Sequence, residues 1–140
     1  MKFLILFCFV SLASANVVNT KKLFKIPILY LNSWNKLVEP FRNECMSETG
    51  ADELDTLNFF LNMKFPEKSS FKCYIKCLYL RLNMMDENGV VNVEEIASQV
   101  VGVDFEMVKG CYLGLRNVTD HCEKAYSGIM CGMDKISKLS

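Results

Sequence analysis

Seven cysteines in a chain of 140 residues restrict its fold more than any other feature. Cys8 lies in the leading stretch "MKFLILFCFVSLASA", which has one charge at Lys2, an apolar run from Phe3 to Val10 and the small-x-small site Ala13-Ser14-Ala15. That pattern reads as a secretory signal peptide over residues 1–15, with an apolar run too short to cross a bilayer. The expected mature domain, residues 16–140, keeps six cysteines: Cys45, Cys73, Cys77, Cys111, Cys122 and Cys131. An even number in a small secreted domain implies a framework of three disulfides.

The segment "FKCYIKC", Phe71 to Cys77, holds the pair that tests this reading. Two cysteines separated by three residues can be half of a metal site, a redox pair or anchors for two separate bridges. Zinc favours two close cysteine pairs or cysteine with histidine, and the only histidine is His121. A thioredoxin-type pair has two intervening residues and a βαβ setting. On a helix, Cys73 and Cys77 share one face about 6 Å apart with nearly parallel Cβ directions, which disfavours a bond between them. Each is expected to reach a different helix. No metal and no cofactor is expected.

The segments between cysteines carry helical periodicity. "GADELDTLNFFLNM" reads as a helix capped by Asp52 with Leu54, Leu57, Phe60 and Leu61 inward. "KSSFKCYIKCLYLRLNMM" has Ser69 or Ser70 as its cap and turns Phe71, Tyr74, Ile75, Leu78 and Leu82 to one side. "NVEEIASQVVG" starts at Asn92, buries Ile96 and Val100 and stops at Gly102, and "DFEMVKGCYLGLRN" starts at Asp104. "TDHCEKAYSGIMCGMDKI" starts at Thr119 or Asp120, with Glu123 reaching back, and runs to about Gly132. Pro40 either starts a helix or kinks a longer one in "SWNKLVEPFRNECMSET". No repeat or linker divides the chain, so the fold class is all-α, a single domain of about six helices.

The spacing of 27, 3, 33, 10 and 8 residues between the six cysteines resembles that of the insect odorant-binding proteins, as do "CMSETGA", "FKCYIKCLY", "MMDENGVVNVEEI" and "CEKAY" around them. The resemblance covers Phe41 to about Met133. It implies a compact helical bundle around an internal apolar cavity, cross-linked as Cys45–Cys77, Cys73–Cys122 and Cys111–Cys131. It also implies that the ligand-binding walls include Leu78, Leu82, Val93, Ile96, Val100, Phe105, Val108, Tyr112 and Ile129. The implied function is an extracellular carrier of small hydrophobic ligands such as odorants, pheromones or similar lipids. Sensillum lymph or another body fluid is its implied setting, a chemosensory receptor its implied partner, and monomer or weak homodimer its implied state. Tyr74 and Tyr112 are candidates to offer a hydroxyl to the ligand.

Other motifs argue less. The segment from Asp86 places Val90, Val91 and Ala97 where an EF-hand needs an oxygen ligand, glycine and glutamate. It reads instead as a turn through Asn88-Gly89. His121 beside Asp120 lacks the glycine-rich calcium loop of a secreted phospholipase, and no other catalytic constellation is visible, so an enzyme is not expected. His121 reads as a solvent-facing residue near a helix start. Asn117-Val118-Thr119 is a glycosylation sequon. Removal of Lys2 leaves 15 basic and 16 acidic residues, a near-neutral balance without the basic patch that nucleic acid or a membrane surface would select. A saposin-like effector acting on membranes is the alternative function, though such proteins place paired cysteines near both chain ends. The first part of the nine residues Gly132 to Ser140 after the last cysteine is expected to continue the last helix; they are too few to fill a cavity as an independent helix, while an extended strip bearing Ile136 and Leu139 could lie across the cavity mouth as a lid. With one histidine, little pH response is expected above about pH 5.5, acid release being left to carboxylates such as Asp134.

Overall fold

The computed structural model describes residues 24–140, so the expected signal peptide lies outside the described residues. The regular elements of the described chain are all helices: α1 Ile28–Val38, α2 Arg42–Thr49, α3 Glu53–Thr56, α4 Phe59–Asn62, α5 Ser69–Arg81, α6 Val93–Gln99, α7 Phe105–Leu113 and α8 His121–Leu139. Two of these, α3 and α4, are single turns of four residues, which leaves six longer helices. The only extended pairing among the described residues is an isolated antiparallel bridge between Met85 and Val91.

Local chemistry sets most boundaries. Pro40 sits in a 3-10 turn, Glu39–Phe41, that separates α1 from α2. Asn92 accepts from the Glu95 amide, Asp104 from Met107, and Asp120 from Cys122 and Glu123, each satisfying helix-start amides that would otherwise lack partners. Between Met84 and Asn92 the carboxylate of Asp86 accepts from the amides of Asn88 and Val90, and Gly89 turns the chain at φ 76°. A side chain at Gly89 would stand 2.4 Å from the ring of His121. His121 is therefore half-buried against this turn, not solvent-facing as its place near a helix start implied.

Two segments depart from the periodicity. "GADELDTLNFFLNM" does not form one helix: Leu57 is extended and Asn58 is left-handed at φ 54°, so the helical phase restarts. Leu54, Leu57 and Leu61 are exposed, while Thr56, Phe59 and Phe60 are buried. The final helix does not stop near Gly132 but runs to Leu139, so the tail is the last two turns of α8 and not an extended lid, with Ile136 buried and Leu139 exposed.

Helix α5 is the central post. It packs chiefly against α8 and α2, while α1 packs on α4, α6 on α7 and α7 on α8. Cys77 bonds Cys45 on α2 and Cys73 bonds Cys122 on α8, with Cα atoms 5.5 and 4.5 Å apart. Cys111 on α7 bonds Cys131 on α8 at 5.8 Å. The bridges span 32, 49 and 20 residues of sequence. In the chain-entropy model loops of this size are each worth about 3–4 kcal/mol, which helps a small shell tolerate a void. Ion pairs reinforce the same seams. Arg81 holds Glu44 and Glu48 of α2, and Lys72 holds Glu123 of α8 at 2.5 Å. Glu123, expected to reach back to its own helix start, thus spans two helices instead and also accepts from Ser127.

Candidate functional site

The apolar faces of these helices do not close completely. Where α1, α4, α5, α6, α7 and α8 converge they line a cavity of about 90 Å³. One water needs roughly 10–15 Å³, so the void is larger than a packing defect. Leu78 and Leu82 from α5 and its C-terminus, Ile96 and Val100 from α6 and its end, Val108 and Tyr112 from α7, and Ile129 from α8 all lie in its wall. No lining residue is charged.

Two of the expected wall residues lie elsewhere. Val93 opens α6 and packs against the edge of the core without reaching the cavity. Phe105 opens α7, is 39% exposed and lies with its ring 5.7 Å from the Lys109 ammonium. The cavity face of α7 runs through Met107, Val108, Cys111 and Tyr112, and at 3.6 residues per turn Phe105 falls about a quarter turn from its centre.

Other wall residues were not anticipated. Trp34 and Val38 of α1 close one side, and the indole N–H of Trp34 donates to the carbonyl of Val101 at 2.8 Å, tying α1 to the α6–α7 connection. Phe59 and Phe60 contribute from the single turn α4, and their rings continue an edge-to-face cluster with Phe65, Phe71 and Tyr74. Met133 and Ile136 extend the wall beyond Ile129 at spacings of four and three residues. That spacing was visible in the sequence, and only the assumed stop at Gly132 hid it. Tyr79 also had a signal, since it follows Ile75 by four residues and precedes Leu82 by three.

Polar chemistry in the wall is concentrated at one place. The hydroxyl of Tyr112 donates to that of Tyr79 at 2.8 Å. Burial pushes the Tyr79 hydroxyl up to about 12, with the bond from Tyr112 acting in the opposite direction. Burial, then the neighbouring Tyr79, raises Tyr112 well above the ordinary tyrosine value. Both phenols are neutral at physiological pH. Tyr74 does not share this role: it is fully buried outside the cavity wall, its hydroxyl has no hydrogen-bond partner among the described residues, and burial raises it to about 12. Asn117 is exposed in the connection between α7 and α8, remote in sequence from every wall-lining element but those two. No group of three or more metal-ligating side chains gathers among the described residues.

The pattern of the PBP/GOBP family matches residues 30–135. General odorant-binding protein 99a of Drosophila melanogaster is 29% identical over 98 residues, covering 65% of this chain and 68% of that protein. General odorant-binding protein 19d of the same species is 31% identical over 100 residues, covering 64% of this chain and 65% of that protein. Odorant-binding protein 22 of Aedes aegypti is 28% identical over 98 residues, covering 67% and 70% respectively. Among solved structures, Odorant Binding Protein 7 from Anopheles gambiae, which has four disulfide bridges and is in complex with an azo compound, aligns with a TM-score of 0.45. That alignment has 23% identity and covers 82% of this chain and 94% of the other.

Proposed function

The chain belongs to the PBP/GOBP family, and from that premise we propose that it is an extracellular carrier that takes up small hydrophobic molecules in its internal cavity and moves them through aqueous fluid. The observation that carries this reading is the uncharged, largely apolar void enclosed by a disulfide-stapled shell. Leu78, Leu82, Ile96, Val100, Val108, Tyr112 and Ile129 are the contacts we assign to the ligand among the residues named from the sequence. Burial of apolar ligand surface at roughly 25 cal/mol per Å² supplies the driving force, so affinity follows size and shape first. In this reading the carrier is secreted, works as a monomer or weak homodimer, and delivers to a chemosensory receptor. Asn117 is available for glycosylation on that route. No described helix is long and apolar enough to cross a membrane.

The test is displacement of Nile red from the purified chain by a panel of neutral ketones, esters, alcohols and hydrocarbons. Micromolar displacement by several members is the expected result. Failure of every member to displace the dye, or of the dye to bind at all, would overturn the carrier reading.

A further inference from the structure

The cavity wall contains three side chains with a polar hydrogen to give: Trp34, Tyr79 and Tyr112. Trp34 has spent its N–H on the carbonyl of Val101. The two phenols carry one proton each, and the bond between them consumes only one. With Tyr112 donating, the Tyr79 proton has no acceptor among the described residues, although Tyr79 is only 7% exposed. Reversing the pair bond leaves the same count, with the spare proton then on Tyr112. A buried donor without a partner is costly, so a bound molecule that supplies an acceptor oxygen gains more than its apolar burial alone.

Helix α8 is cut to fit this pair. Gly128 lies in the middle of a 19-residue helix, where glycine is unfavourable relative to alanine. A Cβ there would stand 2.0 Å from the Tyr112 hydroxyl and 2.3 Å from its ring carbon. The missing side chain is the seat of that hydroxyl, and Gly128 itself lines the cavity. The pair therefore stands in the wall, not behind it.

We infer that the Tyr79–Tyr112 pair is a polar anchor that donates one hydrogen bond to the ligand, selecting neutral hydrophobic molecules with an acceptor oxygen, such as ketones, aldehydes, esters and ethers, over hydrocarbons of the same shape. Ionised carboxylates are disfavoured, because the lining holds no cation to offset the cost of burying their charge. This inference rests on the carrier reading and names the ligand class for it.

The experiment compares acetophenone with α-methylstyrene, in which a methylene group replaces the carbonyl oxygen. Hydrocarbons leave water more readily than ketones, so the informative quantity is the ratio of the two affinities in wild type relative to that in Tyr79→Phe/Tyr112→Phe, where the water term cancels. The expected result is a fall of about tenfold in relative ketone affinity in the double variant, with the alkene little changed. Each single Phe variant keeps one hydroxyl with an unspent proton and loses less. The carbonyl stretch of acetophenone bound to the wild type gives a second readout that needs no variant: it is expected at lower frequency than in an alkane solvent. An unchanged affinity ratio with both ligands bound, or an alkane-like carbonyl frequency, would overturn the anchor and leave the carrier reading standing. If neither ligand binds wild type while Nile red displacement also fails, the carrier reading falls and the anchor falls with it.

Discussion

Replacing Ile136 with alanine tests whether the last turns of α8 belong to the cavity wall. Ile136 is 4% exposed and lines the void, whereas Leu139, three residues further, is 78% exposed. The substitution deletes three buried carbons at about 0.8 kcal/mol each, near 2.4 kcal/mol in transfer alone. The site cannot collapse easily, because it already borders a cavity and α8 is held by two disulfides. With the added cost of the enlarged cavity the total is expected at about 3 kcal/mol, within the usual range for such deletions. In a domain of this size that corresponds to a fall in Tm of about 10 °C. Leu139→Ala removes a similar side chain from solvent and is expected to change stability by less than about 0.5 kcal/mol. Thermal and urea unfolding followed by far-UV circular dichroism, with disulfides intact, measures both. Equal and small losses from the two variants would mean that the C-terminal turns are not docked and would refute the reasoning.

Two further outcomes follow from the same geometry. Val108→Phe places a ring into a void of about 90 Å³ and is expected to abolish Nile red binding while costing at most about 1–3 kcal/mol of stability. Unaltered dye affinity in a folded variant would show that the dye sits elsewhere. Glu123 is held below its ordinary value of 4.5, chiefly by the hydrogen bond from Lys72 and next by that from Ser127, with Asp120 acting against them. Glu67 and Tyr126 also favour the charged form of Lys72, whose ammonium lies 5.1 Å from the Tyr126 ring. A depressed folded value gives stability that is fully present above the unfolded one and is lost as pH falls through the folded one. The Tm difference between wild type and Glu123→Gln should thus be flat from pH 7.5 to 5.0 and shrink only below about pH 4.5. A difference that disappears between pH 7 and 6 would exclude this pair as its source. The residues that could have formed an extended lid are helix, and Asp134, named as a carboxylate to tie that lid down, pairs with Lys138 of the same helix at 2.7 Å.

What the chain settled by itself lies in features whose cause is local or covalent. The caps at Asn92, Asp104 and Asp120 act within three residues, so their chemistry could be read directly. The inward set of α5, Phe71, Tyr74, Ile75, Leu78 and Leu82, is buried because a helix of ordinary phase keeps spacings of three and four on one face. The all-α class followed from that periodicity together with six cysteines in a small domain. Tertiary structure decided the rest wherever a side chain's role depends on what meets it from a distance. Asn58 breaks the helical phase, so Phe59 joined the expected Phe60 inside while Leu54, Leu57 and Leu61 turned outward. Gly132 did not end α8, because packing of Met133 and Ile136 favours continuation more than one glycine opposes it. Core and cavity wall demand the same apolar residue types, and only the convergence of six helices shows which faces stay apart. Tyr79 and Tyr112 lie 33 residues apart, and their one spare proton exists only once α5, α7 and a side-chain-free point on α8 are brought together.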